Sequence, residues 1–268
     1  MGSYTDLKAI KVEKRGGVAL VTINRPETRN AIDVEVHEEL DEIWAKFTHD
    51  DDIQVVVLTG AGSVFCAGGD LKRMASRIGT PEAQSFTLNL PTHARKLFSN
   101  IMDMQKPLIA AVNGDAIGLG ATLALFSDIV VMADTAKIGD PHVRVGLCAG
   151  DGGAVIWPLL VGPSRAKEYL MRGMLATGVE AERMNLVNYA VEADQVIPKA
   201  MEIAEDLLKM PPWAIRFTKA TINMDIRQKY NAIMDASLAY EALTMTTNDF
   251  AEGTNSVIER RKPKFTGT

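Results

Sequence analysis

Apolar positions recur along this chain at two periods, and the switches between them mark its elements. Over residues 6–24, Ile10 and Val12 alternate with polar residues before the turn Arg15-Gly16-Gly17, and Val18, Leu20 and Thr22 line one face after it. That is the pattern of a hairpin. Asp33 caps a helix running to about Phe47, with Val36, Leu40, Ile43, Trp44 and Phe47 at helical spacing. A run rich in β-branched residues predicts a strand over 53–59. Helices follow near 71–78 and 81–104. A strand at 108–112 leads to a helix at 118–126, and a strand at 129–133 leads to a short strand at Lys137 and Ile138.

Beyond Gly153 the pattern turns helical, with segments at 154–160, 164–171, 180–185, 197–209 and 212–222, one long helix over 227–246 and a short one over 249–260. A strand at 187–191 interrupts them. The alternation of strands and helices argues the α/β class. No Ser/Gly-rich linker divides the chain, so residues 1–268 read as one domain with a core over 1–210 and a helical region over 211–268. Met234, Leu238 and Leu243 suit either packing within the chain or a partner.

Two strand-to-helix corners stand out. The strand at 108–112 runs through Asn113-Gly-Asp-Ala-Ile-Gly-Leu-Gly120 into an apolar helix, and Phe65-Cys-Ala-Gly-Gly-Asp-Leu71 follows the strand at 53–59. Small residues at a helix start let a ligand approach backbone N–H groups that the helix cannot pair. Two such corners could grip one oxygen between them and stabilise an enolate or a tetrahedral adduct.

Composition narrows the classes. With 268 residues, of which 47% are hydrophobic, the chain can bury a substantial core. A net charge of −5 has the wrong sign for a nucleic-acid partner. The longest apolar run, 123–133, is broken by Ser127 and Asp128, well short of the ~20 residues of a membrane span. The N-terminus lacks a charged-then-apolar signal layout. Cys66 and Cys148 imply no disulfide framework, and a cytoplasmic location is the expectation. The four histidines are scattered and none pairs with Cys at zinc spacing, so no metal site is expected.

Taken in order, Val18-Ala-Leu-Val-Thr-Ile-Asn-Arg-Pro-Glu-Thr-Arg-Asn-Ala31, Val55-Val-Val-Leu-Thr-Gly60, the 65–71 corner, Lys106-Pro-Leu-Ile-Ala-Ala-Val-Asn-Gly114, Ser127-Asp128 and Arg260-Arg-Lys-Pro-Lys-Phe265 resemble the crotonase (enoyl-CoA hydratase/isomerase) superfamily over nearly the whole chain. The resemblance implies a crotonase-like spiral of ββα repeats whose sheets stack almost perpendicularly. It also implies a helical C-terminal region that builds a trimer, often a dimer of trimers. The oxyanion N–H donors would be Gly69 and Leu119, where Leu replaces the family's Gly but keeps the N–H.

Family hydratases place two glutamates on a shared water, and those positions are Thr122 and His142 here. His142, after Asp140-Pro141, becomes the candidate for moving protons near neutral pH; the bland reading is a turn histidine bonded to backbone. Asp151, between Gly150 and Gly152, could orient His142 or cap the helix at Gly153. The set resembles the branch containing 6-oxocamphor hydrolase, which cleaves a carbon–carbon bond of a β-diketone without CoA. There a His and an Asp at this spacing act with a Glu on a late helix, and Glu241 is the matching position, which otherwise reads as a solvated helix face. That branch's further histidine is not evident near 119–122.

The resemblance assigns contacts with coenzyme A to Arg29, Ala31, Ala67, Lys264 and Phe265, with Lys72 and Arg73 as further phosphate contacts. CoA then enters as part of the substrate, and no separate cofactor is expected. Asp70 caps the helix at Leu71. The leading expectation is hydration of a 2-enoyl-CoA, with isomerisation close behind. The alternatives are a β-diketone C–C hydrolase using His142, Asp151 and Glu241, and a catalytically silent binding or assembly module.

Overall fold

The computed structural model describes residues 4–268. β1 (Ile10–Arg15) and β2 (Val18–Ile23) form the predicted hairpin. α1 (Val34–His49) starts where Asp33 accepts the Val36 N–H at 3.0 Å, and it buries the five apolar residues that set its period. Three repeats follow. β3 (Val55–Gly60) and β4 (Val64–Cys66) precede α2 (Leu71–Arg77) and α3 (Pro81–Asp103). β5 (Leu108–Val112) and β6 (Asp115–Ile117) precede α4 (Leu119–Leu125). β7 (Ile129–Ala133) and β8 (Lys137–Gly139) precede α5 (Gly153–Arg172). Then come β9 (Leu175–Thr177), α6 (Gly178–Arg183), β10 (Tyr189–Val191), α7 (Val196–Leu208), α8 (Pro212–Thr244) and α9 (Asn248–Ile258).

In every repeat the first strand joins a six-stranded sheet, ordered β1-β2-β3-β5-β7-β10, and the second joins a four-stranded sheet, ordered β4-β6-β8-β9. From β2 to β10 the large sheet is parallel. β3 and β5 are buried along their whole length, which is why they read as continuous apolar runs instead of alternating ones. The α/β expectation holds, and the spiral arises because each repeat hands the chain from one sheet to the other. The handover ends at β4, β6 and β8, so the corners after these strands lie together.

Several boundaries differ from the sequence expectation. The short strands β4, β6 and β9 were not predicted, because three residues are too few to show a period. The segments at 154–160 and 164–171 form α5, broken at Gly162 (φ +77°, ψ 158°). The segments at 212–222 and 227–246 are one helix, since residues 223–226 contain no breaker and Asn223 spends its amide on the Met102 carbonyl at 3.4 Å. Within α8, Met234 and Leu238 are fully buried in the chain's own core, whereas Leu243 is 65% exposed.

The long helix is anchored by an ion pair whose lysine is buried. Lys219 Nζ lies 2.7 Å from Asp128 Oδ2 and 2.8 Å from the Lys106 carbonyl, and Asp128 Oδ2 also accepts the Leu108 N–H at 2.7 Å. α8 is thereby fixed to the end of β5. Among the described residues, no helix is long and apolar enough to cross a membrane.

Candidate active site

The two glycine corners touch. After β4, Gly68 adopts φ +86°, and a Cβ there would lie 2.5 Å from the Ile117 carbonyl oxygen and 3.6 Å from the Leu119 nitrogen. Only glycine allows that approach. The turn is held from outside by the Ile32 N–H on the Gly68 carbonyl (2.7 Å) and the Ala67 N–H on the Arg29 carbonyl (3.1 Å). After β6, Gly118 (φ +55°, ψ −123°) donates its N–H to the Gly139 carbonyl at 2.9 Å and turns the chain into α4. Among the described residues, neither the Gly69 N–H nor the Leu119 N–H has a hydrogen-bond partner. Asp70 caps α2 by accepting the Arg73 N–H at 3.1 Å.

His142 opens a 3₁₀ turn just past β8, and its ring lies against the second corner. A Cβ on Gly118 would sit 3.3 Å from His142 Cε1. Nδ1 is bonded to Asp140 Oδ1, which also accepts the His142 backbone N–H at 3.3 Å. Nε2 lies 3.5 Å from Asp151 Oδ2. The Asp151 carboxylate takes the Thr122 hydroxyl at 3.3 Å and the backbone N–H of Gly153. Glu241, on α8, packs on Gly150, where a Cβ would lie 2.8 Å from its Oε2. Asp140, Asp151 and Glu241 are all buried.

Three buried carboxylates around one imidazole set the protonation. Burial opposes the charged ring, but Asp140, Asp151 and Glu241 outweigh it and carry the His142 pKa well above the ordinary value. Burial pushes Asp151 up to about 6, with His142 pulling it back. Burial, then the charge of Asp151, pushes Glu241 up to about 8. Near neutral pH the site therefore holds an imidazolium, an ionised Asp151 and a protonated Glu241. Such a set can both give and take a proton.

His142 and Asp151, neighbours in one stretch of sequence, are thus joined by the distant Glu241. The reading of Glu241 as a solvated helix face is overturned: it is 4% exposed. Gly152 holds the cap position of α5, and Asp151, one residue before it, takes the free N–H of Gly153 at the helix start while also facing His142. Asp140 was read only as part of the Asp140-Pro141-His142 motif. The signal for a further role was its acid two residues before the ring. The three donors of Asp140, His142 and Asp151 also lie within 4.8 Å of one another, a closeness the scattered histidines did not suggest. Both ring nitrogens are turned to a carboxylate: Nδ1 is hydrogen-bonded to Asp140, and Nε2 lies within ion-pair distance of Asp151.

Of the residues assigned to coenzyme A, Arg29, Ala31 and Ala67 share the turn beside Gly68. The Ala67 N–H bonds the Arg29 carbonyl, and the Arg29 guanidinium is exposed, 3.3 Å from Asp115. Lys264 and Phe265 lie at the other end of the chain. Lys264 is held to α9 by its N–H on Glu252 (2.7 Å), and no hydrogen bond or ion pair joins either residue to the Arg29 turn. Arg73 faces Asp33 at 3.7 Å. A cavity of about 600 Å³ lies between the α2–α3 region and the end of α8, lined by Met74, Ile78, Phe86, Leu88, Met245 and Phe250 among others. Met74 Sδ would be 3.5 Å from a Cβ on Gly69, so this side chain stands between the first corner and the cavity.

Residues 13–268 match the family model described as enoyl-CoA hydratase/isomerase. The chain belongs to that family, the crotonase superfamily, and is an enzyme of the hydratase class with the crotonase fold. It is 33% identical to the short-chain-enoyl-CoA hydratase of Clostridium acetobutylicum over 96% of this chain and 97% of that protein. It is 30% identical to the carnitinyl-CoA dehydratase of Proteus mirabilis over 97% and 99%. A crystal structure of an enoyl-CoA hydratase/isomerase from Mycobacterium paratuberculosis superposes with a TM-score of 0.88 at 32% identity, covering 94% of this chain and 99% of that one.

Proposed function

We propose that the enzyme hydrates a 2-enoyl-CoA, with His142 and Asp151 doing the work of the family's two glutamates. The thioester oxygen would sit between the N–H groups of Gly69 and Leu119, which stabilise the enolate as charge develops on it. Water adds its oxygen to C3 and gives a proton to the Asp151 carboxylate. The His142 imidazolium gives a proton to C2. The proton then returns from Asp151 to His142, which resets the pair. No atom is gained or lost beyond the water added.

The observation that carries this reading is the imidazole packed against Gly118, one residue from the unpaired Leu119 N–H and between two carboxylates. The exposed Arg29 supports a phosphate contact, and the cavity beyond Met74 suits an acyl chain. Trp213, Phe217, Ile222 and Met224 leave an exposed apolar face on α8, which supports a homotrimer or a dimer of trimers. Lys264 and Phe265 would then reach CoA in a neighbouring subunit.

The test is turnover of short 2-enoyl-CoAs by His142→Ala. Loss of the proton carrier lowers kcat by about 10²- to 10⁴-fold with KM little changed. Full turnover on every substrate the parent accepts would sink the reading. Glu241 supports a second one: a buried, protonated acid beside His142 and Asp151 is the set needed to hydrolyse a β-diketone. Turnover of cyclic diketones together with failure to bind CoA would favour it.

A further inference from the structure

We infer that Asp140 is a positioning residue for His142: its carboxylate holds the Nδ1–H of the ring, fixing the tautomer and the aim of Nε2. The inference deepens the function proposed above and rests on it for the role of the ring.

Three observations carry it. First, a single oxygen, Oδ1, accepts both the ring Nδ1–H and the backbone N–H of the same residue, so the ring is tied at two points to one carboxylate. Second, Pro141 joins the two residues and opens the 3₁₀ turn at φ −89°. A proline there narrows the angles by which the ring could swing off. Third, the other oxygen, Oδ2, occupies side-chain space at the first residue of α5. A Cβ on Gly153 would be only 2.1 Å from it, and among the described residues Oδ2 has no hydrogen-bond partner. The seat is at the positive end of a helix, which favours an anion there. An acid kept buried with one oxygen unpaired is spending its bonding capacity on the histidine alone.

The groups facing His142 are Asp140 on its own segment, Asp151 ahead of α5, Glu241 on α8, and Cys148. Asp151 faces the opposite ring nitrogen from Asp140. Two carboxylates on one ring need unequal roles if a proton is to leave in one direction. The fully buried Asp140 supplies the fixed side, and Asp151 supplies the exchanging one.

The test uses the full chain labelled with ¹⁵N-histidine, the His142 signals being assigned by their loss in His142→Gln. In the wild type, Nδ1 is expected to stay protonated across the titration. Asp140→Asn should lower the His142 midpoint by a pH unit or more. Asp140→Ala should lower kcat by about 10²-fold or more with KM within threefold, and added formate should restore part of that loss. An unprotonated Nδ1 in the wild type, an unmoved midpoint in Asp140→Asn, or a loss confined to KM would each overturn the inference. The wild-type spectrum decides even if the alanine variant fails to fold. Full turnover by His142→Gln would instead sink the catalytic reading, and the titration would still judge the Asp140–His142 contact.

Discussion

Glu241→Gln should make the protein more stable at high pH than at low pH relative to the parent. The Glu241 pKa is pushed from 4.5 up to about 8, chiefly by burial and then by the charge of Asp151. Below about pH 4.5 both the folded and the unfolded chain carry the proton. As pH rises toward 8, the unfolded chain releases it while the folded protein keeps it, so stability falls across that window. At 1.36 kcal/mol per unit, the folded-state penalty grows by about 4 kcal/mol between pH 5 and pH 9. Glutamine cannot titrate and fills nearly the same volume beside Gly150. Urea denaturation at fixed protein concentration, followed through the buried Trp157, should show the variant-minus-parent difference widening by about that amount. A difference equal at both pH values within about 1 kcal/mol would refute the claim that Glu241 is held neutral.

Gly118→Ala forces an L-residue into φ +55°, ψ −123° and places a methyl 3.3 Å from His142 Cε1. It should cost about 1–3 kcal/mol in thermal unfolding and most of the turnover, and a variant with parental Tm and kcat would contradict the packing described. Lys219→Met leaves Asp128 with the Leu108 N–H but no cation. Since the Asp128 side chain is 25% exposed, the loss should fall near about 2–4 kcal/mol, read by urea unfolding, and no loss would show the pair to be idle.

Much of the fold was legible because its long elements carry strong periods. α1 shows its five core positions and its Asp33 cap in the sequence, and β3 and β5 show the continuous apolar runs of buried parallel strands. β4, β6 and β8 are three residues each, and their pairing is settled by tertiary contact, so only β8 left a readable trace. The same split governs the site. His142 and Asp151 lie within one glycine-marked stretch and could be picked out by chemistry and spacing. Glu241 looked like one acid among many on a helix because its burial depends on how α8 crosses Gly150, ninety-one positions earlier in the chain. Asp140 was hidden by proximity: an acid two places before a histidine is common, and only the ring's orientation gives it a task.

An unbroken helix of 33 residues is about 50 Å long, and α8 is tethered near one end by Lys219 and delivers Glu241 near the other. The glycine corners, Asp140 and Asp151 all lie within the first 153 residues, although the His142 turn itself leans on α9, where Gly253 packs on Val145. The neutral acid arrives only when the rod has been laid down and docked. A chain stopped short of residue 241 would contain the imidazole and its two neighbouring carboxylates but neither the neutral acid nor the α9 contacts under the His142 turn, so completion of the catalytic pocket is tied to the last third of the chain.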